Sequence, residues 1–226
     1  MPNKMPNKIL LVFIAFDLLF LVCAVLHLVI PILTHASLGN TPTLKNVASD
    51  LLLDHCPLTS SMVNAFIMFA TFCLSIPALF RQRNFVFLQL HAAGIIASAL
   101  LTLIIGLQIW FSTLETHLNL APIWNRQTPF VQSMLQFKFT CCGYSNPALF
   151  VEDATCPSAA VAARLGPCMV PFGVFANQFL DVVFTTFFGF VAVDMMLLLS
   201  VLCLIKDRKE RERYRFIDEK RGYSTL

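Results

Sequence analysis

Asp17 and Asp194 stand inside long apolar stretches, where a charge near a bilayer centre is costly and normally faces other helices or a cavity. Asp17 follows Lys8 by nine residues and Asp194 precedes Lys206 by twelve, so at ~1.5 Å per residue both lie ~13–18 Å from the basic ends of their stretches. Two carboxyls at that depth can face each other across the first and last stretches and share a proton as a hydrogen-bonded clasp. Such a pair reads either as a proton relay or intramembrane dyad, or as interhelical glue. Glue is the stronger reading, because Gln89, His91 and Asn64 trace no ion path with the two aspartates. His27 and His91 lie near opposite faces of the membrane, neither with a second ligand at helical spacing, so no metal site is expected. Among the eight cysteines, Cys23, Cys73 and Cys203 lie in apolar stretches, while Cys56, Cys141, Cys142, Cys156 and Cys168 lie between them or at their boundary. Four of these share one segment too small for a large core, and in an oxidising exterior such a set forms two disulfides. A bridge between the neighbours Cys141 and Cys142 needs a strained peptide, which leaves crossed and nested pairings open. Zinc is disfavoured, since the spacing has no Cys-x-x-Cys and no nearby His.

The elements that must position these residues are membrane helices. A chain of 226 residues that is 57% hydrophobic and only 13% charged, with a mean hydropathy of +0.73, carries about half the usual charge of a soluble domain. That excludes a free nucleotide-binding or hydrolase domain. The net charge of +3 does not indicate nucleic acid, because half of the basic residues sit in one short C-terminal tail. Apolar runs predict spans at 9–33, 60–80, 85–110 and 180–205, each long enough to cross ~30 Å of hydrocarbon. The tails 1–8 and 206–226 and the turn 81–84 hold twelve Lys and Arg, against four in the loops 34–59 and 111–179. The positive-inside bias puts both termini in the cytosol and both loops outside. Although Lys4 and Lys8 precede the first apolar run, that run is too long for a signal peptide and reads as an uncleaved anchor. In span three, Ala93, Gly94, Ala97 and Ser98 form a small-xxx-small surface that lets a neighbouring helix approach. No internal repeat or low-complexity tract is visible.

Cys141-Cys142-Gly143, set between spans three and four and followed by Cys156 and Cys168, resembles the tetraspanin signature. The likeness covers almost the whole chain, from the short N-tail and small loop through the four-residue inner turn to the large loop and basic C-tail. It implies an all-α membrane protein whose four transmembrane helices carry a small disulfide-stapled, mainly helical extracellular loop domain. It also implies nested pairing, Cys141 with Cys168 and Cys142 with Cys156. At Cys156 the animal type's Pro-x-Ser-Cys is replaced by Ala154-Thr155-Cys156-Pro157. The family's stalk corresponds to Thr128–Thr140, an amphipathic helix whose stripe of Phe130, Val131, Met134 and Leu135 is expected to pack on the extension of span three near Leu114 and Leu118. Residues 144–167, with Pro147, Pro157 and Pro167, then form an irregular head, the family's usual partner-binding surface. The family's polar residues in the spans correspond loosely to Asp17, Gln89 and Asp194.

Cys203 and, deeper, Cys73 are lipidation candidates by the same resemblance. The role of Cys56 stays open between an unpaired thiol and an intermolecular bridge. The chain ends in Tyr223-Ser224-Thr225-Leu226, a Tyr-x-x-apolar pattern that resembles an adaptor-read sorting signal and also suits a PDZ-type groove. Asn40-Thr41 is followed by Pro42, so no glycosylation sequon is present. The expected function is a membrane scaffold that organises partner proteins laterally, not an enzyme, with no cofactor. Its candidate partners are membrane lipids including sterol, other membrane proteins, a second copy of itself and a cytosolic adaptor. Its expected location is the plasma membrane or endosomal-vacuolar membranes. The short chain, four-cysteine loop and absent sequon resemble fungal tetraspanins, associated with polarised growth and host penetration. The rival reading is a small intramembrane enzyme or proton- or ion-conducting subunit using Asp17, His91 and Asp194. A claudin-like junction protein fits less well, since its cysteine pair belongs in the first outer loop, where only Cys56 stands.

Overall fold

In α1 (Lys8–Leu38) the residues turned inward are Phe13, Asp17, Phe20, Ala24, His27, Pro31 and Thr34, which recur in steps of four and three. The same 3.5-residue period runs through α3 (Leu58–Phe80) as Ser61, Asn64, Met68, Thr71, Ser75 and Ala78, and through α4 (Phe85–Leu114) as Leu88, His91, Ile95, Ser98, Thr102, Ile105 and Ile109. In α8 (Met169–Lys220) it reappears as Asp194, Leu197, Val201 and Leu204. A repeat of 3.5 is the seam of left-handed helix packing. The remaining faces are apolar and exposed, with Leu11, Leu18, Phe66, Ile96, Leu199 and Leu202 among them, as lipid-facing surfaces are. These four helices are long and apolar enough to cross a membrane, the make-up of a multi-pass membrane protein.

The computed structural model describes residues 8–38, 41–80, 85–114 and 116–221, in which every regular element is a helix. Between the spans lie α2 (Val47–Asp54), α5 (Thr116–Asn125), α6 (Pro129–Phe139) and α7 (Ala159–Leu165). The chain divides into two compact units. One comprises Met1–Leu28, Ser60–Leu103 and Phe188–Leu226, and its core gathers Phe13, Phe20, Met68, Leu88, Ile95, Leu197 and Val201. The other comprises Val29–Thr59 and Ile104–Phe187, with a core of Val47, Leu51, Leu120, Trp124, Leu135, Cys141, Cys168 and Phe172.

Several helices extend beyond the predicted spans. α8 has 52 residues, about 78 Å at ~1.5 Å per residue, more than twice the ~30 Å hydrocarbon layer. It starts at Met169 rather than near 180 because Phe172 and Ala176, on its first turns, belong to the loop core. At the other end it runs to Lys220, with Asp207 and Arg211 2.9 Å apart one turn from each other. Two helices, α2 and α7, stand where the sequence reading placed connecting or irregular chain. α2 forms because Val47, Ala48, Leu51 and Leu52 give it a buried face. α5 places Leu120, Ile123 and Trp124 in the same core. α7 interrupts the 144–167 head; the Ser158 hydroxyl caps it by accepting from the Val161 amide, and Gly166, at φ 80°, ends it.

Candidate functional site

Within the second unit, α6 opens on an N-cap, the Thr128 hydroxyl accepting from Val131 N, with Pro129 in the first turn. It closes on Thr140 in the left-handed region (φ 48°, ψ 53°), directly before the two neighbouring cysteines. Leu135 is buried, and Val131, Met134 and Phe139 pack against the core. Phe130 does not join them: it is 64% exposed, and Leu114 is 60% exposed. Of the expected stripe, Val131, Met134 and Leu135 thus face a core that also holds Val47, Leu51 and Leu52 of α2 and Leu120, Ile123 and Trp124 of α5, while Phe130 turns outward; the side chain of Leu118 lies outside the described residues. Trp124 meets the Tyr144 and Phe172 rings at centroid distances of 5.7 and 6.3 Å, and Phe139 meets Phe172 and Phe175 at 5.6 Å each.

Cys141 is bonded to Cys168 and Cys142 to Cys156, a nested pair of disulfides whose sulfurs are wholly buried. Gly143 is required for two reasons. Its φ is +65°, and a Cβ there would collide with the Asn146 carbonyl and sit 2.8 Å from that of Leu149. Backbone bonds then hold the two limbs of the loop together: Cys142 N to Gly166 O (2.9 Å), Cys168 N to Gly143 O (2.9 Å) and Met169 N to Tyr144 O (3.0 Å).

Sequence reasoning missed the polar centre of this turn. Gln136, wholly buried, donates through Nε2 to Val151 O (2.8 Å) and Asp153 Oδ2 (2.9 Å), and its Oε1 accepts from Gly143 N and Val151 N (3.2 Å each). Asp153 Oδ1 in turn accepts from Thr155 N (2.8 Å) and Cys156 N (2.7 Å). Burial pushes the Asp153 carboxyl up, but hydrogen bonds from Ser133, the Cys156 amide, Gln136 and the Thr155 amide outweigh it and hold its pKa below the ordinary aspartate value. The available signal was the position of Gln136 on the apolar side of α6, next to Leu135.

Around this stapled centre several large apolar side chains are exposed. Phe130 and Phe137 are two turns apart on one face of α6, 64% and 57% exposed, and Leu149 is 77% exposed. On the same helix Lys138 donates to the Lys45 carbonyl at 2.8 Å and lies 5.1 Å from the centre of the Phe175 ring, tying the 34–59 segment to the loop. Cys56 is free and half-buried against Ile105, Ile109 and Leu180, its thiol 3.5 Å from Leu52 O. Burial pushes that thiol up to about 11, so it is a poor nucleophile near neutrality.

Within the first unit, the polar residues of the spans meet across helices. Asp17 approaches His91, not Asp194: Asp17 Oδ1 is 3.4 Å from His91 Nε2, and the Ser75 hydroxyl is also a hydrogen-bonding neighbour of the carboxyl. His91 Nδ1 donates to Thr71 O at 2.8 Å, so the Nε2 edge is the one left to share a proton with Asp17. Both residues lie a few turns from the adjacent ends of α1 and α4, a match in depth that the sequence already contained. Asp194 is wholly buried, and neither carboxyl oxygen has a hydrogen-bond partner among the described residues. Gln89 is exposed and takes no part in these contacts. His27 pairs with Ser61 (Nδ1 to Oγ, 2.9 Å), and Asn64 Nδ2 donates to Thr102 Oγ1 at 2.9 Å. Of the small residues in span three, Gly94 abuts the Thr71 side chain and Ser98 is buried, whereas Ala93 and Ala97 face outward. Cys73 and Cys203 are free and exposed; Cys23 is free and buried. Among the described residues no three His, Cys, Asp or Glu side chains converge as a metal site would require. Tyr223, Ser224, Thr225 and Leu226, like the 81–84 turn, lie outside the described residues. Compared with known proteins, the chain matches no family profile, no curated protein and no solved structure.

Proposed function

We propose that this protein is a tetraspanin-like membrane scaffold, which gathers partner membrane proteins laterally and carries out no chemistry of its own. The observation that carries the reading is the pairing of a rigid centre with an apolar outside: two buried disulfides and the Gln136 network beneath exposed Phe130, Phe137 and Leu149. Exposed aromatics on a pre-ordered frame bind partners without first losing conformational freedom. The Lys and Arg distribution supports an orientation with both termini cytosolic and the stapled loop outside, where disulfides persist. Outward-facing Cys203 and Cys73 suit S-acylation, which would favour ordered plasma or endosomal membrane. The test is photo-crosslinking from position 130 or 137 of the full-length protein in its own membrane, repeated on the Phe130→Ser/Phe137→Ser variant with a crosslinker at Leu149. Discrete membrane-protein adducts that disappear in the double variant, with both disulfides intact, support the scaffold. Adducts to lipid alone would overturn it.

A second reading, a proton-handling subunit, is favoured by the Asp17–His91 approach. Asp17→Asn separates the two: a scaffold keeps its adducts and its place in the membrane, whereas a proton-handling protein loses proton flux in vesicles.

A further inference from the structure

In the second unit a cleft of about 450 Å³ opens between the last turns of α4, the junction of α2 with α3, and α5. Leu52, Ile109, Leu120, Ile123 and Leu180 make its walls apolar, and its polar groups are His55, Gln108, Ser112 and Arg126. Among the described residues no acidic side chain lines it and Arg126 is in no ion pair. An apolar slot with one exposed guanidinium at its edge is complementary to an amphiphile with an anionic head.

The depth of the cleft agrees. Gln108 and Ser112 flank the point where the apolar run of α4 ends, and Trp110 and Phe111 beside them are exposed, as aromatic residues are at a membrane–water boundary. A lipid carboxylate or phosphate is found at that level. The volume sets the chain number: about 450 Å³ lies in the ~300–1,000 Å³ range of small-molecule sites, enough for one acyl chain and too little for a two-chain phospholipid, and a carboxylate is the simplest anionic head on a single chain. A sterol would leave the guanidinium unused, and a free phosphate would leave the apolar walls unused. We infer that this cleft binds a fatty carboxylate, its chain against Ile109, Leu120, Ile123 and Leu180 and its head on Arg126. The inference does not depend on partner capture by the outer face of α6.

The experiment uses the full-length protein in nanodiscs of zwitterionic lipid, with a diazirine-bearing palmitate as the probe and peptide mapping of its adducts. Adducts are expected within 108–126 and around Leu180, competed by oleate and not by methyl oleate, a sterol or inorganic phosphate. Removing the charge-assisted contact with Arg126→Gln should weaken labelling about tenfold, and Ile109→Trp should block it by filling the slot. Equal competition by methyl oleate or sterol, or unchanged labelling of Arg126→Gln, would overturn the inference. Cys56 supplies a readout without mutation, because it lines the same cleft. Oleate should slow its alkylation while leaving that of exposed Cys73 and Cys203 alone, and an unaltered Cys56 rate would also count against the site.

Discussion

Gln136 does with one neutral amide what the two disulfides do with covalent bonds: it holds the 143–153 chain against α6. Its four hydrogen bonds satisfy the Gly143 and Val151 amides, the Val151 carbonyl and one oxygen of Asp153. Replacing it with leucine keeps the volume but orphans those buried groups, each of which costs about 1–3 kcal/mol when left unpaired. Part of the segment can turn to water, so Gln136→Leu is predicted to destabilise the protein by roughly 2–4 kcal/mol, read from the denaturation midpoint with both disulfides intact. Asp153 adds a pH dependence whose direction follows from its environment. Its folded-state pKa is depressed below the ordinary value of 3.8. The carboxylate therefore contributes fully above that unfolded value, and its contribution disappears as pH falls through the lower folded one. An unfolding midpoint that drops below about pH 4 is expected, with a shallower drop in Asp153→Asn, which keeps an acceptor but does not titrate. The cysteine pair and Gly143 could be read from the sequence because each has few alternative roles. Gln136 could not, because an amide beside leucine is usually just a polar residue at the edge of a helix.

At the scale of the helix, the apolar run determines that a span exists but conceals which way it faces. With leucine, isoleucine and phenylalanine on every side, hydropathy has no period; the period is carried by the polar exceptions. Asp17, His27 and Thr34 in α1, then Ser61, Asn64, Thr71 and Ser75 in α3, and His91, Ser98 and Thr102 in α4 all fall on the buried seam. Their spacings of three, four, seven and ten were present in the sequence, and they pair Asp17 with His91 rather than with Asp194 once depth is compared. Gln89, outside that register, faces outward. Magnitudes decide what holds the seam. An interhelical hydrogen bond such as Asn64–Thr102 contributes on average only ~0.6 kcal/mol within a membrane. Close packing contributes more, and at Gly94 it leaves no room for a side chain: a Cβ there would run into the Thr71 hydroxyl and approach its methyl carbon to 2.8 Å. Gly94→Val should therefore cost about 1–3 kcal/mol through overpacking, against under ~1 kcal/mol for Asn64→Leu combined with Thr102→Val. Titration from mild into denaturing detergent, followed by helicity, measures the difference. Equal losses would mean that polar contacts, not close approach, hold α3 to α4.

For the whole molecule, the two units are held by different forces, and that difference can be tested with one reagent. The unit built on Phe13, Met68, Leu88 and Leu197 contains no disulfide; the unit built on Trp124, Leu135 and Phe172 is crossed by bridges closing 27 and 14 residues of separation. Constraints on loops of that size stabilise by roughly 3 kcal/mol each in the chain-entropy account. A small core with α2, α5, α6 and α7 of 8, 10, 11 and 7 residues has little helix stability of its own to replace that contribution. Reduction should therefore release the second unit and spare the first. Hydrogen exchange on the reduced, detergent-solubilised protein is expected to show amides of 129–168 losing protection. Those of 61–78, 88–102 and 190–204 should keep it, since their bonds are intrahelical and shielded by lipid or detergent. Loss of protection throughout would mean that the long helices α4 and α8, each of which contributes residues to both units, carry the unfolding of one unit into the other. If protection is kept at 129–168, the Gln136 network and the aromatic core are sufficient, and the bridges guard the loop against slower hazards such as proteolysis.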